Sequence, residues 1–142
     1  MIVTTHSERD TSASGRDLAR TLTSGTVILL AGDLGAGKTA FVRGLAEGLG
    51  IDPNEVSSPT FTLIQEYRGG RLLLHHVDLY RLKPSEVADL GLEDLVLEGG
   101  VTAVEWPDRW HGAPAAVHVD FEIWGEDDRT LRIEDRRGYS DR

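Results

Sequence analysis

At 142 residues and a formal net charge of −9, the chain has room for one domain with a real core, and its acidity argues against broad electrostatic binding to nucleic acid or anionic lipid. It contains no cysteine, which excludes a disulfide framework, a thiolate metal centre and a thiol nucleophile. No apolar run is long enough to span a bilayer, and the first residues lack the basic and apolar segments of a signal peptide, so the expected location is cytoplasmic.

Residues 1–6 read as a short edge strand or a frayed terminus, and residues 7–14 as a polar segment with no visible chemistry. Leu18, Ala19 and Leu22 predict a short helix capped by Ser12 or Ser14 and ended by Gly25. The apolar run at residues 26–31 then predicts a buried strand that leads directly into Gly32-Asp33-Leu34-Gly35-Ala36-Gly37-Lys38-Thr39. This octapeptide fits the pattern of glycine, any four residues, glycine, lysine, then serine or threonine. Its glycines let the backbone from Asp33 to Ala40 turn amides inward onto a polyphosphate, at the positive end of a helix predicted over residues 39–49 from Phe41, Val42, Leu45 and Leu49. Lys38, one of only two lysines, would reach the outer phosphates as a point charge, and Thr39 would offer its hydroxyl to Mg2+. Strand, glycine loop and helix form the setting this pattern requires; the bland alternative is a glycine-rich turn without a ligand.

Residues 50–55 read as a loop, and the small polar residues that follow include Thr60, a candidate for a contact that orders around a bound triphosphate and relaxes after hydrolysis. The alternative is that Ser57 and Ser58 make a local turn and Thr60 starts a strand. Residues 61–67 and 71–79 predict an antiparallel pair around the turn Arg68-Gly69-Gly70. Asp78 closes the second strand, where an acidic residue either completes a magnesium shell opposite Thr39 or simply forms a turn. His76 shares its face, two residues earlier. With no third nitrogen ligand or cysteine at useful spacing, His75 and His76 do not suggest a metal site, and a partly buried, hydrogen-bonded histidine is expected. Arg81 reads as a solvated or salt-bridged surface residue, with a phosphate-sensing charge as the alternative.

Pro84 opens an acidic-faced helical connection that Gly99-Gly100 breaks. Residues 101–104 form another apolar strand, ending at Glu105-Trp106-Pro107. Glu105 is a candidate for orienting an attacking water or binding metal through water, and Trp106 for covering a base or forming part of a partner surface; a capping glutamate and a half-buried tryptophan are the plainer alternatives. Residues 116–124 and 129–135 alternate as a hairpin expected to cover one sheet edge. The predicted fold is a single α/β domain of P-loop NTPase type over residues 1–136, with a mostly parallel central sheet, antiparallel edge strands and flanking helices; residues 137–142 are expected to be a polar tail.

In their order and spacing, the octapeptide, Ser58-Pro59-Thr60-Phe61-Thr62-Leu63, His76-Val77-Asp78-Leu79-Tyr80-Arg81 and Glu105-Trp106-Pro107 resemble the bacterial TsaE proteins, small ATPases of tRNA threonylcarbamoyladenosine biosynthesis, almost end to end. The resemblance implies that Lys38 and Thr39 bind ATP phosphates and Mg2+, that Thr60 is a switch-like contact, that Asp78 helps hold the metal, and that Glu105 and Trp106 complete the site. It also implies slow hydrolysis of ATP in concert with two partners, TsaD and TsaB, and contact with tRNA only through that complex. In this reading Lys38, Asp78 and Glu105 carry the chemistry, and Thr39, Asp78 and Glu105 are the metal candidates. A small-molecule kinase would need an acceptor pocket and lid for which little chain is left. A GTPase would need a guanine-reading Asn/Thr-Lys-x-Asp segment, which the chain does not contain. A nucleotide-gated adaptor without useful turnover is the non-enzymatic alternative.

Overall fold

The computed structural model describes residues 1–57 and 63–137, which form β1 (Ile2–Thr5), α1 (Glu8–Ala19), β2 (Thr26–Ala31), α2 (Lys38–Gly48), β3 (Ile64–Tyr67), β4 (Leu74–Asp78), α3 (Pro84–Val87), α4 (Leu92–Leu97), β5 (Val101–Glu105), β6 (Val117–Ile123) and β7 (Arg129–Asp135). Thr60, and residues 138–142 of the expected tail, lie outside the described residues. A strand that is apolar at every turn of its pleat must be covered on both faces. The run predicted at residues 26–31 is such a strand, and β2 lies inside a seven-stranded sheet of order β1-β7-β6-β2-β5-β4-β3. β2 pairs in parallel with β5 and β6, and β5 with β4, while β1, β7 and β3 join antiparallel. The result is one α/β domain with a parallel centre and antiparallel margins, as expected.

Successive side chains of β2 point to opposite faces, and two cores follow. Ile28 and Leu30 pack with Phe41, Leu45 and Leu22 beneath α1 and α2, while Val27 and Leu29 pack with Val77, Val104, Val87 and Leu92 beneath α3 and α4. Phe41, Val42 and Leu45 of α2 and Leu49 at its C-cap, the four positions expected to be apolar and inward, are all buried.

Three expectations are corrected. The polar segment at residues 7–14 is most of α1: Ser7 caps it, its hydroxyl accepting from Asp10 N at 3.0 Å, and the helix runs on to Ala19. Ser12 and Ser14 sit inside the helix, and their weak propensity masks a helix held by tertiary packing. The β6–β7 hairpin does not cover an edge, because β6 inserts beside β2 and β1 closes the outside of β7. Finally, β4 starts at Leu74 and not at residue 71. Arg71 N donates to Leu49 O at 2.6 Å, and the Arg71 guanidinium reaches the carbonyls of Leu22 and Ala19, which draws this stretch off the sheet.

The α1–α2 contact is a backbone-to-backbone approach at glycines. A Cβ on Gly44 would lie 1.8 Å from Ser12 O, and one on Gly15 would lie 2.2 Å from Phe41 O. The obstructing atoms are main chain and cannot rotate away. Gly44→Ala is therefore expected to destabilise the protein by about 2 kcal/mol or more despite alanine's better helix propensity, read as a lower urea midpoint.

Candidate functional site

β2, β4 and β5 run parallel, so their carboxyl ends open on one edge of the sheet, where ligands of open α/β sheets are held. The loop after β2, the last residue of β4 and the last residue of β5 meet there. They line a cleft of about 370 Å3, formed by Leu34, Gly35, Gly37, Lys38, Thr39, Ala40, Asp78, Glu105 and Trp106, together with Glu8 and Arg43. Of the candidates from sequence, Asp33 lies outside this lining and is exposed, and Ala36 is turned inward into the core. The Ala36 N–H is spent within the loop, donating to Asp33 O at 3.1 Å.

The loop keeps its shape through glycine at two positive-φ positions, Gly35 (φ 79°) and Gly37 (φ 100°). Gly37 is also the N-cap of α2 and brings no side chain to the helix's first amides. The positive end of α2 thus faces the cleft without a built-in acceptor, as an anion site requires. Lys38 is only 5 % exposed, with Nζ donating to Gly32 O at 2.6 Å and lying 3.9 Å from the centroid of the Trp106 ring. Burial pushes its ammonium below the usual lysine range, an effect opposed by the negative charges of Glu105, Asp78 and Asp33.

Asp78 and Glu105 are register partners at the ends of adjacent parallel strands and project on the α2 face. Burial pushes the Asp78 carboxyl above the ordinary aspartate range, while the Tyr80 N–H, donating to Oδ1 at 2.9 Å, works in the opposite direction. Glu105 is 5 % exposed, and its Oε2 lies 2.6 Å from Nε2 of the fully buried His76. A short hydrogen bond at Nε2 thus joins the two side chains, while His76 Nδ1 has no hydrogen-bond partner among the described residues. His76 is hydrogen-bonded as expected from sequence but fully rather than partly buried, and its partner is the site's own glutamate.

Trp106 is the one non-glycine residue with positive φ (59°) among the described residues, and it precedes Pro107, which further restricts it. Such a conformation persists where surrounding contacts hold it. The Tyr80 ring lies 4.9 Å from it, and Arg109 lies 5.5 Å over its face. The Arg109 guanidinium also donates to the carbonyls of Leu79, at 3.1 Å, and of Tyr80, clamping the exit of β4 to the turn after β5.

Four contributors escaped the sequence. Arg43 borders the cleft and donates to Val56 O at 3.2 Å, Arg129 donates to Gly35 O at 3.0 Å and steadies the loop from β7, Arg109 makes the clamp, and Glu8 starts α1 at the cleft. Only Glu8 had a readable signal, the Ser7-Glu8-Arg9-Asp10 capping pattern. The others act on main-chain carbonyls, which leave no trace in residue spacing.

The comparisons with known proteins agree with one another. A family model described as threonylcarbamoyl adenosine biosynthesis protein TsaE matches residues 5–133. The tRNA threonylcarbamoyladenosine biosynthesis protein TsaE of Nostoc sp. is 53% identical over 122 residues, covering 82% of this chain and 74% of the relative. Its counterpart in Aquifex aeolicus is 41% identical over 128 residues, covering 89% and 90%. The crystal structure of Bacillus subtilis YdiB superposes with a TM-score of 0.80 at 33% identity, covering 96% of this chain and 85% of that one. With a family match over nearly all of its length and relatives at this identity over most of it, the chain belongs to the TsaE family.

Proposed function

We propose that this protein is a magnesium-dependent ATPase of P-loop type that acts in the cytoplasm as the helper subunit of the complex that makes threonylcarbamoyladenosine in tRNA. The observation that carries the reading is a buried lysine at an uncapped helix N-terminus, facing two carboxylates across one cleft. The names of the relatives supply the pathway. The loop amides and Lys38 would receive the triphosphate, and Trp106, already stacked on Lys38, would close the site from the β5 side. Thr39, Asp78 and Glu105 offer oxygen donors from three elements around the cleft, the donor set a hard cation takes. Bound there, Mg2+ would neutralise charge on the outer phosphates. Glu105, held by His76, is assigned to orient the attacking water, and Thr60 is proposed as the switch-like contact. TsaD and TsaB are the proposed partners, with tRNA engaged through them.

Phosphate release from ATP and Mg2+, measured for the purified protein alone and with TsaD, TsaB and tRNA, tests this. Turnover that is slow alone and rises in the assembly supports the helper ATPase. ATP binding without turnover in an assembly that still modifies tRNA would identify a nucleotide-gated adaptor instead.

A further inference from the structure

His75 lies beside the catalytic candidates in sequence but on the other face of the sheet, the face covered by α3 and α4. It is 0% exposed, and neither ring nitrogen has a hydrogen-bond partner among the described residues. A buried imidazole normally satisfies at least one nitrogen, so an orphaned pair calls for an explanation. Two carboxylates stand next to it. Glu66 is its register partner on β3, with Oε2 at 3.8 Å from His75 Nδ1, and Glu98 follows α4 just before β5 begins. One ligand atom from each of Glu66, His75 and Glu98 falls within 4.8 Å of the other two.

We propose that Glu66, His75 and Glu98 form a binding site for a divalent transition cation, Zn2+ foremost, separate from the nucleotide cleft. Two donor atoms at about 2.1 Å from a tetrahedral zinc lie roughly 3.4 Å apart, so the observed spacing closes with a small swing of the carboxylates. Both glutamates are exposed, which leaves room for that swing on the solvent side. Arg68 Nε engages Oε1 of Glu66 and leaves Oε2 turned to the histidine. A nitrogen with two carboxylate oxygens suits zinc and its neighbours, whereas magnesium prefers oxygen alone. The cation would pin the β3–β4 hairpin to the start of β5, on the opposite face from Asp78 and about 10 Å along the strand from it.

The sequence offers no third nitrogen or cysteine at useful spacing; the groups beside His75 are carboxylates that the fold brings to it. The site does not depend on ATP chemistry, so it stands or falls separately from the proposed function.

The test is calorimetric titration of chelator-treated, nucleotide-free full chain with ZnCl2, with excess Mg2+ present to fill oxygen-only sites, alongside melting temperature with and without Zn2+. His6, exposed with Nδ1 at 2.8 Å from Asp128, is the rival zinc donor. The expected result is about one equivalent bound by wild type and by His6→Ala, a binding constant at least ~10-fold weaker in Glu66→Gln and Glu98→Gln, and a zinc-dependent rise in melting temperature that both glutamine variants lose. Those two positions are exposed, so their variants fold even if His75→Gln does not. No stoichiometric binding by wild type, or binding lost in His6→Ala and retained in Glu98→Gln, would overturn the proposal.

Discussion

Lys38→Ala is expected to lower phosphate release from magnesium-ATP by about 10²–10³-fold, alone and with partners, because it removes the one lysine that faces the uncapped start of α2. The side chain is held by protein contacts, with Nζ on Gly32 O and beneath Trp106. Burial makes the charge effective as well as expensive, since a cation with little exposed surface acts on an anion through a lower effective dielectric than bulk water. The fold should survive. Deleting a buried cation removes a desolvation penalty along with its contacts, so the melting temperature should move by no more than a few degrees. Lys38→Met, which keeps the stem and loses the charge, separates packing from electrostatics and should behave like alanine in hydrolysis. Full activity in Lys38→Met would sink the assignment of the phosphate site to this loop.

Much of this site is legible in the chain because its parts sit at element ends. Glycines at positive φ, a lysine opening a helix, and acidic residues closing apolar strands are local features, and Gly35, Gly37, Lys38, Asp78 and Glu105 all occupy the positions their surroundings dictate. The parallel centre follows from the mainly apolar, buried runs of β2 and β5, which need cover on both faces. What was not legible is what tertiary contact decides. α1 is a polar, serine-bearing helix whose stability comes from glycine-mediated approach to α2, and nothing in its own periodicity announces that. The insertion of β6 beside β2 is a choice between sheet positions that alternation in a hairpin does not encode. Likewise the pairing of His76 with Glu105 joins residues 29 apart in sequence and becomes visible only once β4 and β5 are set in register.

Only Glu105 of the two carboxylates pairs with His76, and Glu105→Gln tests the proposal that it orients water while Asp78 serves the cation. Glutamine keeps the size and can still accept from His76 Nε2 through its amide oxygen, so ATP binding should hold, with KM changing by less than about threefold. The rate constant kcat should fall by about 10²–10³-fold, since an amide cannot attract the proton of an attacking water as a carboxylate does. Asp78→Asn should differ in kind: if Asp78 chiefly serves the cation, its loss raises the Mg2+ concentration needed for half-maximal activity, and excess Mg2+ restores much of the rate. His76→Gln supplies the third comparison. A positioning partner that touches neither phosphate nor metal should lower kcat less than Glu105→Gln does, and combining the two substitutions should cost little more than Glu105→Gln alone, because the histidine acts through the glutamate. If Glu105→Gln instead shifted the Mg2+ requirement at unchanged kcat, the two carboxylates would exchange roles. If it retained full partner-stimulated turnover, Glu105 would be left as a structural anchor for His76.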